Sequence, residues 1–193
     1  MGTGTIILLV ILGILIFGGL VIALWAISVY NSLISLRNNA DEAFSTMDVY
    51  LKKRYDLIPN LVETVKGYAK HESETLEKVV KARNLAMGAS NPQEKIATEA
   101  ALTKELKTML SVVVEQYPDL KANQNFIDLQ DALKTIETEI ANSRKYYNGA
   151  VKVYNVKREL FPSSIVAGIF KFEKKALFEV EDAAERKNVS VKF

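Results

Sequence analysis

The sequence has no cysteine, one histidine and four prolines among 193 residues, and no charged side chain precedes Arg37. Without cysteine it has neither disulfides nor thiol chemistry, and a lipoprotein is excluded because no thiol is present to carry the lipid. The 25 basic and 23 acidic residues are interspersed, so there is no basic stripe of the kind that wraps nucleic acid. We therefore expect no nucleic-acid partner, and prolines this sparse favour long helices.

A continuous apolar run occupies residues 6–27, which contain only Ile, Leu, Val, Gly, Phe, Ala and Trp. As a helix it spans about 33 Å, close to the thickness of a bilayer's hydrocarbon core. A cleaved signal peptide would have a basic start and a shorter apolar core, and only the small-residue pattern at 26–28 favours one. The sequence predicts a short tail, residues 1–5, and an uncleaved transmembrane helix, residues 6–29, in contact with the lipid bilayer.

The positive charges near the apolar run predict its orientation. None precedes it, whereas Arg37 and the basic cluster at 52–54 follow it. Since lysine and arginine are retained on the cytoplasmic side, we expect an extracytoplasmic N-terminus and a cytoplasmic domain at the bacterial inner (plasma) membrane. Gly19 and Ala23, two small residues four apart, could let two such helices pack closely, although such pairs are common in apolar helices. We expect a homo-oligomer because long helical seams and an anchor are the main features of the sequence.

Beyond the apolar run, an apolar residue recurs every three or four positions from Phe44 to Met87, with one gap at Glu72. Such a stripe predicts a helix that packs on a partner along one face. Two places can interrupt it: Pro59, which lacks an amide donor, and residues 67–73, where Ser73 is a candidate cap for a new helix. A kinked or two-segment helix is slightly favoured over a single one.

Two further helices are predicted from their ends and their periods. Residues 88–92 combine a helix-ending glycine, an N-cap candidate and a first-turn proline, so a helix starts near Pro92. Asn123 caps the next helix, whose 3–4 alternation from residue 126 to 154 is typical of a bundle or coiled-coil seam. Only Val189–Phe193 alternates like a strand. The predicted fold is all-α: the transmembrane helix, an antiparallel bundle of three to four long helices over residues 30–180, and a tail, residues 181–193.

A dense apolar segment, residues 165–180, follows Phe161-Pro162 and contains Lys171, Lys174 and Lys175. It is either an amphipathic helix on the membrane surface, whose lysines meet anionic lipid, or a short helix that caps the bundle. The second alternative is favoured.

Motifs for catalysis are missing from the sequence: it has no nucleophile elbow, phosphate-binding glycine loop, HExxH helix or CxxC pair. We therefore assign no catalytic, cofactor-binding or metal-binding residue and do not expect an enzyme. The one histidine, His71, stands beside Glu72, and an imidazole with carboxylates can bind a metal or transfer a proton. An uncharacterised metal-dependent enzyme centred on these residues is an alternative, although such neighbours are more often solvated.

Several polar residues adjoin the apolar stripes: Arg54 on the first helix, and Arg144 and Asn148 on the third. The dipeptides Tyr147-Asn148 and Tyr154-Asn155 are seven residues apart, so they share one face of a helix. Buried Asn and Tyr can fix the register between helices through hydrogen bonds. We favour this structural role over a ligand site.

These motifs together resemble the bacterial LemA family. The resemblance rests on KKRYDLIPNLVETVKGYAKHE at 52–72, YNSLISLRNNADE at 30–42, LQDAL at 129–133, the stretch 144–155 and Phe161-Pro162. It covers about residues 28–180 and implies a single-pass inner-membrane protein with a cytoplasmic helical bundle, without a settled activity. The family includes magnetosome membrane proteins, so by analogy it also implies membrane organisation.

Three functions follow as hypotheses. The leading one is a membrane-anchored helical scaffold of the bacterial inner membrane that acts by self-association or by recruiting a protein partner. The second is membrane remodelling or lipid-surface binding through the apolar segment 165–180. The third is the metal-dependent enzyme at His71 and Glu72.

Overall fold

The computed structural model of the protein describes residues 2–69 and 72–178. These residues form six helices and contain no β-strand. The predicted all-α fold with a long apolar N-terminal helix is therefore confirmed, while Val189–Phe193 and the tail 181–193 lie outside the described residues. The helices are α1 (Thr3–Tyr68), α2 (Ser73–Gly88), α3 (Pro92–Gln116), α4 (Pro118–Lys121), α5 (Gln124–Glu159) and α6 (Ser163–Ile169).

The first apolar stripe is interrupted at one of its two predicted weak points. Pro59 lies inside α1, which continues to Tyr68, and α2 begins at Ser73. The prediction that Ser73 is a cap is wrong by one residue: Glu72 holds the N-cap position, and its carbonyl accepts the first helical hydrogen bond, from Leu76 N at 3.1 Å. Ser73 is thus already helical.

The starts of α3 and α5 are where the cap residues predict them. Asn91 Oδ1 accepts a hydrogen bond from Glu94 N at 2.8 Å, with Pro92 as the first helical residue. Asn123 Oδ1 accepts one from Phe126 N at 3.1 Å. Each asparagine satisfies an amide that the helix itself leaves without an acceptor.

The chain divides into two compact units. We call residues 1–41 with 149–175 the anchor unit, and residues 42–148 with 176–193 the bundle unit. The predicted boundaries at 1–5, 6–29, 30–180 and 181–193 follow the character of the sequence, and they stay predictions.

Contacts between side chains give the direction of the helices in the bundle unit. Asp48 pairs with Lys95 and Arg54 with Thr103, so α1 and α3 run the same way. Phe44 lies against Tyr147, whereas Arg54 reaches Glu137, so α5 runs the opposite way to α1.

Helix α2 also runs opposite to α1. Residues 69–72 separate its start from the end of α1, and Tyr55, well before the end of α1, contacts Arg83 and Ala86, well after the start of α2. This alternation is the predicted antiparallel bundle.

Most of the core of the bundle unit falls at predicted periodic positions, and Leu61 and Met109 are fully buried additions that the periods did not mark. The buried residues at predicted positions are, from α1 and the residue after it, Met47, Leu51, Tyr55, Ile58, Val62, Val65 and Ala69; from α2, Leu76, Val79 and Ala86; from α3, Leu102, Leu106 and Val113; and from α5, Phe126, Leu133, Ile140 and Tyr147.

The anchor unit combines the apolar start of α1 with α6. Within residues 2–69 and 72–178, one helix, α1, is long and apolar enough to cross a membrane, and its most apolar stretch is wholly unburied. A small core joins α1 to the C-terminal part of this unit through Val29, Leu33, Tyr154, Val166, Ala167 and Phe172. A short helix, α6, follows Phe161-Pro162, but it ends at Ile169 and belongs to the anchor unit, so the favoured role of capping the bundle stays a prediction. Residues 172–178 have no regular secondary structure.

A hydrogen-bonded turn ends α6. Lys171 adopts a left-handed conformation, with φ of 52°. Its amide donates to Gly168 O at 3.2 Å, and the amide of Phe172 donates to Ala167 O at 2.9 Å. This pair of bonds is the Schellman motif, which satisfies the last carbonyls of a helix and turns the chain back.

Candidate functional site

Arg54, on the apolar stripe of α1, is a fully buried charged residue of the bundle unit. Its guanidinium forms a salt bridge with Glu99 of α3, and both side chains are fully buried. Its Nη1 also donates to Glu137 Oε1 of α5 at 2.6 Å and to Thr103 Oγ1 of α3 at 3.1 Å. A single arginine therefore ties three helices of the bundle together.

Tyr55, the next residue, completes this network from the other side of Glu99. Its hydroxyl donates to Glu99 Oε1 and lies 3.4 Å from the carbonyl oxygen of Ala86. The backbone carbonyl of Tyr55 accepts a hydrogen bond from Arg83 Nε at 2.7 Å, which adds α2 to the set. We call Arg54, Tyr55, Glu99, Thr103 and Glu137 the buried network.

The electrostatics of the buried network suit a structural role, in which the charge pair holds the helices in register. Burial raises the pKa of the Tyr55 phenol to about 12; the charge of Arg54 lowers this value and that of Asp48 raises it. The phenol thus stays protonated at neutral pH and serves as a donor. Removing one partner of a buried ion pair leaves an uncompensated charge and costs ~3–5 kcal/mol, although the intact pair adds little net stability. We therefore expect the network to favour one arrangement of the helices.

The first Tyr-Asn pair of α5 binds backbone in the bundle unit. Asn148 Nδ2 donates to Phe178 O at 3.0 Å, and Asn148 Oδ1 accepts from Phe178 N at 2.7 Å. Tyr147 donates its hydroxyl to Ala176 O at 2.9 Å. The Arg144 guanidinium lies 4.5 Å from the centre of the Phe178 ring, at cation–π distance.

The second pair repeats the arrangement inside the anchor unit. Asn155 Nδ2 donates to Lys175 O at 2.9 Å, and Asn155 Oδ1 accepts from Lys175 N at 3.0 Å. Tyr154 donates to Glu173 O at 2.8 Å, and Arg158 Nε donates to Phe172 O at 2.7 Å. Each asparagine thus occupies both backbone groups of one residue, as a neighbouring strand would.

The predicted partner of the two Tyr-Asn pairs, a neighbouring helix, was wrong. They are structural, but they hold an extended backbone segment and not a neighbouring helix. The physical reason lies in their partners: residues 172–178 have no helix or strand of their own to satisfy their amides and carbonyls. Asparagine, with one donor and one acceptor side by side, supplies both.

An open groove lies between the end of α1 and α2 in the bundle unit. Its volume is about 760 Å³. The floor is apolar and its rim carries charges of both signs. The apolar lining is Val62, Ala69, Leu76, Val80 and Leu85, and the charged rim is Glu63, Lys66, Glu77 and Lys81.

The alternative site at His71 and Glu72 is only partly visible. His71 lies outside the described residues, and Glu72 is half-buried at the start of α2. Across residues 2–69 and 72–178, no group of three or more His, Cys, Asp or Glu side chains is placed to hold a metal ion. The metal-site hypothesis therefore stays a hypothesis from the sequence.

The sequence singles out one member of the buried network, Arg54, by its place beside an apolar stripe. Arg144 and Asn148, singled out in the same way, lie outside the network, against Phe178. Glu99 was missed, although it is one of few carboxylates in phase with Leu102 and Leu106, a helical spacing that could have marked it.

The network, the Tyr-Asn pairs and the groove all fall within a stretch that matches one known family. The model of the LemA family matches residues 43–193. The chain belongs to the LemA family. The match covers the bundle unit except its first residue and begins after the apolar run, so the resemblance seen in the sequence motifs is confirmed.

Three relatives of this LemA family chain show how far the similarity extends. Protein LemA of Metamycoplasma hominis is 25% identical over 156 residues, covering 79% of this chain and 69% of that protein. Magnetosome protein MamQ of Magnetospirillum gryphiswaldense is 23% identical over 183 residues, and magnetosome protein MamQ 2 of Paramagnetospirillum magneticum is 23% identical over 181 residues. Both matches cover 81% of this chain and 66% of the relative. The chain therefore spans about two thirds of the length of these relatives.

Proposed function

We propose that this protein is a membrane-anchored helical scaffold that self-associates through the groove between α1 and α2. In this proposal residues 6–29 cross the bacterial inner membrane, and the bundle unit pairs with the bundle unit of a second copy. The observation that carries the proposal is the groove itself, an apolar floor on the surface of a bundle that is otherwise packed at its predicted positions.

The anchor is supported by exposure and by charge. The apolar side chains of residues 6–27 are almost all exposed, so within the chain they have no protein core to fill. A bilayer would cover them. The absence of basic residues before this run, with Arg37 and the cluster at 52–54 after it, supports a cytoplasmic location for the bundle unit.

Pairing of two copies is supported by the composition of the groove. A two-fold interface brings the same patch of both subunits together, so the patch must be complementary to itself. The rim carries two glutamates and two lysines, so each sign can meet its opposite across a two-fold axis. Leu85 is 58% exposed, and it would be covered in such a dimer.

A non-enzymatic role is part of the proposal. Arg54 is paired with both Glu99 and Glu137, and burial raises the pKa of the Tyr55 phenol to about 12, so these groups serve each other as hydrogen-bond and charge partners. None of the three relatives has a reaction in its name.

The test compares the wild type with two single-residue variants, each as the full-length protein in mild detergent. Leu85→Glu places a charge on the apolar floor of the groove, while Val49→Glu, at a residue of α1 that is 55% exposed, is the control outside it. We expect the wild type and the control to be dimers by light scattering and Leu85→Glu to be a monomer.

Dimers in all three proteins would refute the groove as the interface. A monomeric wild type would refute self-association and leave recruitment of a different protein as the way in which a scaffold could act.

A further inference from the structure

We propose that α6 and the turn before it form an interfacial membrane-binding wedge, which lies among lipid headgroups beside the anchor. The wedge is defined by Leu160, Phe161, Ile165, Ile169 and Phe170. This inference rests on the anchoring part of the proposed function and adds a second, non-spanning contact with lipid.

The position of α6 along α1 is fixed inside the anchor unit. Val166 and Ala167 of α6 share a core with Val29 and Leu33 of α1. The ring centre of Phe170 lies 4.7 Å from that of Tyr30. These α1 residues come two to six positions after Ile27, the last residue of the apolar run, which is about 3–9 Å along a helix axis.

That distance is the depth of the headgroup layer. A bilayer with a hydrocarbon core of about 30 Å is about 40–45 Å thick with its headgroups, so each headgroup layer is roughly 5–8 Å deep. An anchor that spans the core with residues 6–27 therefore places α6 at the lipid–water interface.

The five wedge side chains are apolar and exposed, and of these Phe170 also packs against Tyr30 of α1. Phe161 is 81% exposed and Ile169 is 68% exposed, and the other three wedge residues are also exposed. An apolar cluster of this kind marks an interaction surface in a soluble protein. In the headgroup layer, aromatic and aliphatic side chains can instead reach the acyl boundary.

The charges around the wedge fit an anionic lipid surface. Between Lys152 and Lys175 the sequence has six basic and two acidic residues. Lys171 and Lys174 are exposed directly after α6, and Arg37 of α1 lies over the Phe172 ring at 5.6 Å. Basic residues beside an apolar face are the usual composition of helices that lie on membranes.

The absence of cysteine makes the depth of single positions measurable. Full-length protein is placed in nanodiscs of phosphatidylethanolamine and phosphatidylglycerol, with one nitroxide-labelled cysteine at a time. The wedge variants are Ile169→Cys and Phe161→Cys, Leu15→Cys reports on the anchor, and Val49→Cys is the control in water. The readout is the accessibility of each label to oxygen, which concentrates in lipid, relative to a water-soluble nickel complex.

We expect both wedge labels to have an oxygen-to-nickel ratio clearly above that of the Val49 label and below that of the Leu15 label. If Leu15 is deep but both wedge labels match Val49, the anchor stands and the wedge is refuted. If the wedge labels are shielded from both reagents, a protein covers them and the wedge is also refuted. A Leu15 label with the ratio of water would refute the anchor, and the wedge with it.

Discussion

Arg54 and Glu99 are a buried charge pair in a bundle core made mostly of apolar side chains. A well-packed apolar pair would fill the same space at no loss of stability, but it would accept several helix arrangements. The pair instead requires that α1 and α3 meet at one register, because any slip buries a charge without its partner. We therefore expect these two residues to contribute specificity of packing more than net stability.

The substitution Arg54→Met tests this reading. It leaves Glu99 buried without its cation, so we expect the free energy of unfolding to fall by about 3–5 kcal/mol. Denaturant unfolding of the full-length protein in detergent measures the loss. Lys52→Met, at an exposed site two residues away, is the control and should change stability by less than about 0.5 kcal/mol. If Arg54→Met lowered the free energy of unfolding no more than the control does, the structural role of the Arg54–Glu99 pair would be contradicted.

Tyr55 makes the free energy of unfolding of the bundle unit fall as the pH rises in the alkaline range. Its pKa is raised in the folded protein to about 12 from an ordinary value of 10.0, so the folded state binds the phenol proton more tightly than the unfolded state does. Its contribution is fully present below pH 10 and is lost as the pH rises from 10 to 12.

The measurement is the difference between wild type and Tyr55→Phe. Stability of the wild type should fall more steeply between pH 10 and 12 than that of the variant, and the two should run parallel below pH 9. Equal slopes across the whole range would show that the phenol titrates normally.

At the scale of single residues, the sequence predicts features that depend only on neighbouring positions. Arg54 stands out because a charge interrupts an apolar period, a signal within a few residues. Its partners Glu99 and Glu137 are 45 and 83 positions away in sequence, and no pattern in a single chain links positions so far apart. The pairing therefore emerges only from the packed helices.

At the scale of elements, helix ends were the most predictable features. Asn91 and Asn123 act within three residues of the amides that they cap, so the sequence contains the whole interaction. Pro59 was the harder case: a proline removes one amide donor, and the sequence does not show whether packing outweighs that loss. Burial of Ile58, Leu61 and Val62 around it keeps α1 continuous.

The Tyr-Asn pairs show the limit of the same approach. Their heptad spacing predicted a shared face and a structural role, and both are observed. Their partner was misjudged, because a seam of apolar residues suggests another helix and gives no sign of an extended segment. Backbone groups look alike in every sequence, so a side chain that binds backbone leaves no matching signal at its target.

Substitution of Asn155 tests the hold on the extended segment. Asn155→Ala removes the acceptor of the Lys175 amide and the donor to its carbonyl. Each neutral hydrogen bond contributes about 0.5–1.5 kcal/mol, so hydrogen exchange of the Lys175 amide should become roughly tenfold faster or more. Asn142→Ala, at an exposed position of α5, should leave that rate unchanged. Equal rates in the two variants would mean that the segment is held by other contacts.

At the scale of the whole molecule, the chain joins an apolar helix that fits a bilayer to a helical bundle with buried charge pairs. Two exposed apolar surfaces stand out among the described residues: the groove in the bundle unit and the cluster at α6 in the anchor unit. A scaffold that meets lipid on one surface and a second copy on the other accounts for both.

The mass of residues 31–193 in detergent-free solution, beside that of the full-length protein in detergent, tests this account most directly. With a chain mass of 21.6 kDa, the account predicts that full-length protein, after subtraction of bound detergent, is about twice that mass, and that the shorter chain is a dimer too. Association would then reside in the bundle unit. A dimer only when the anchor is present would place it at Gly19 and Ala23 in the membrane, and monomers in both would contradict self-association altogether.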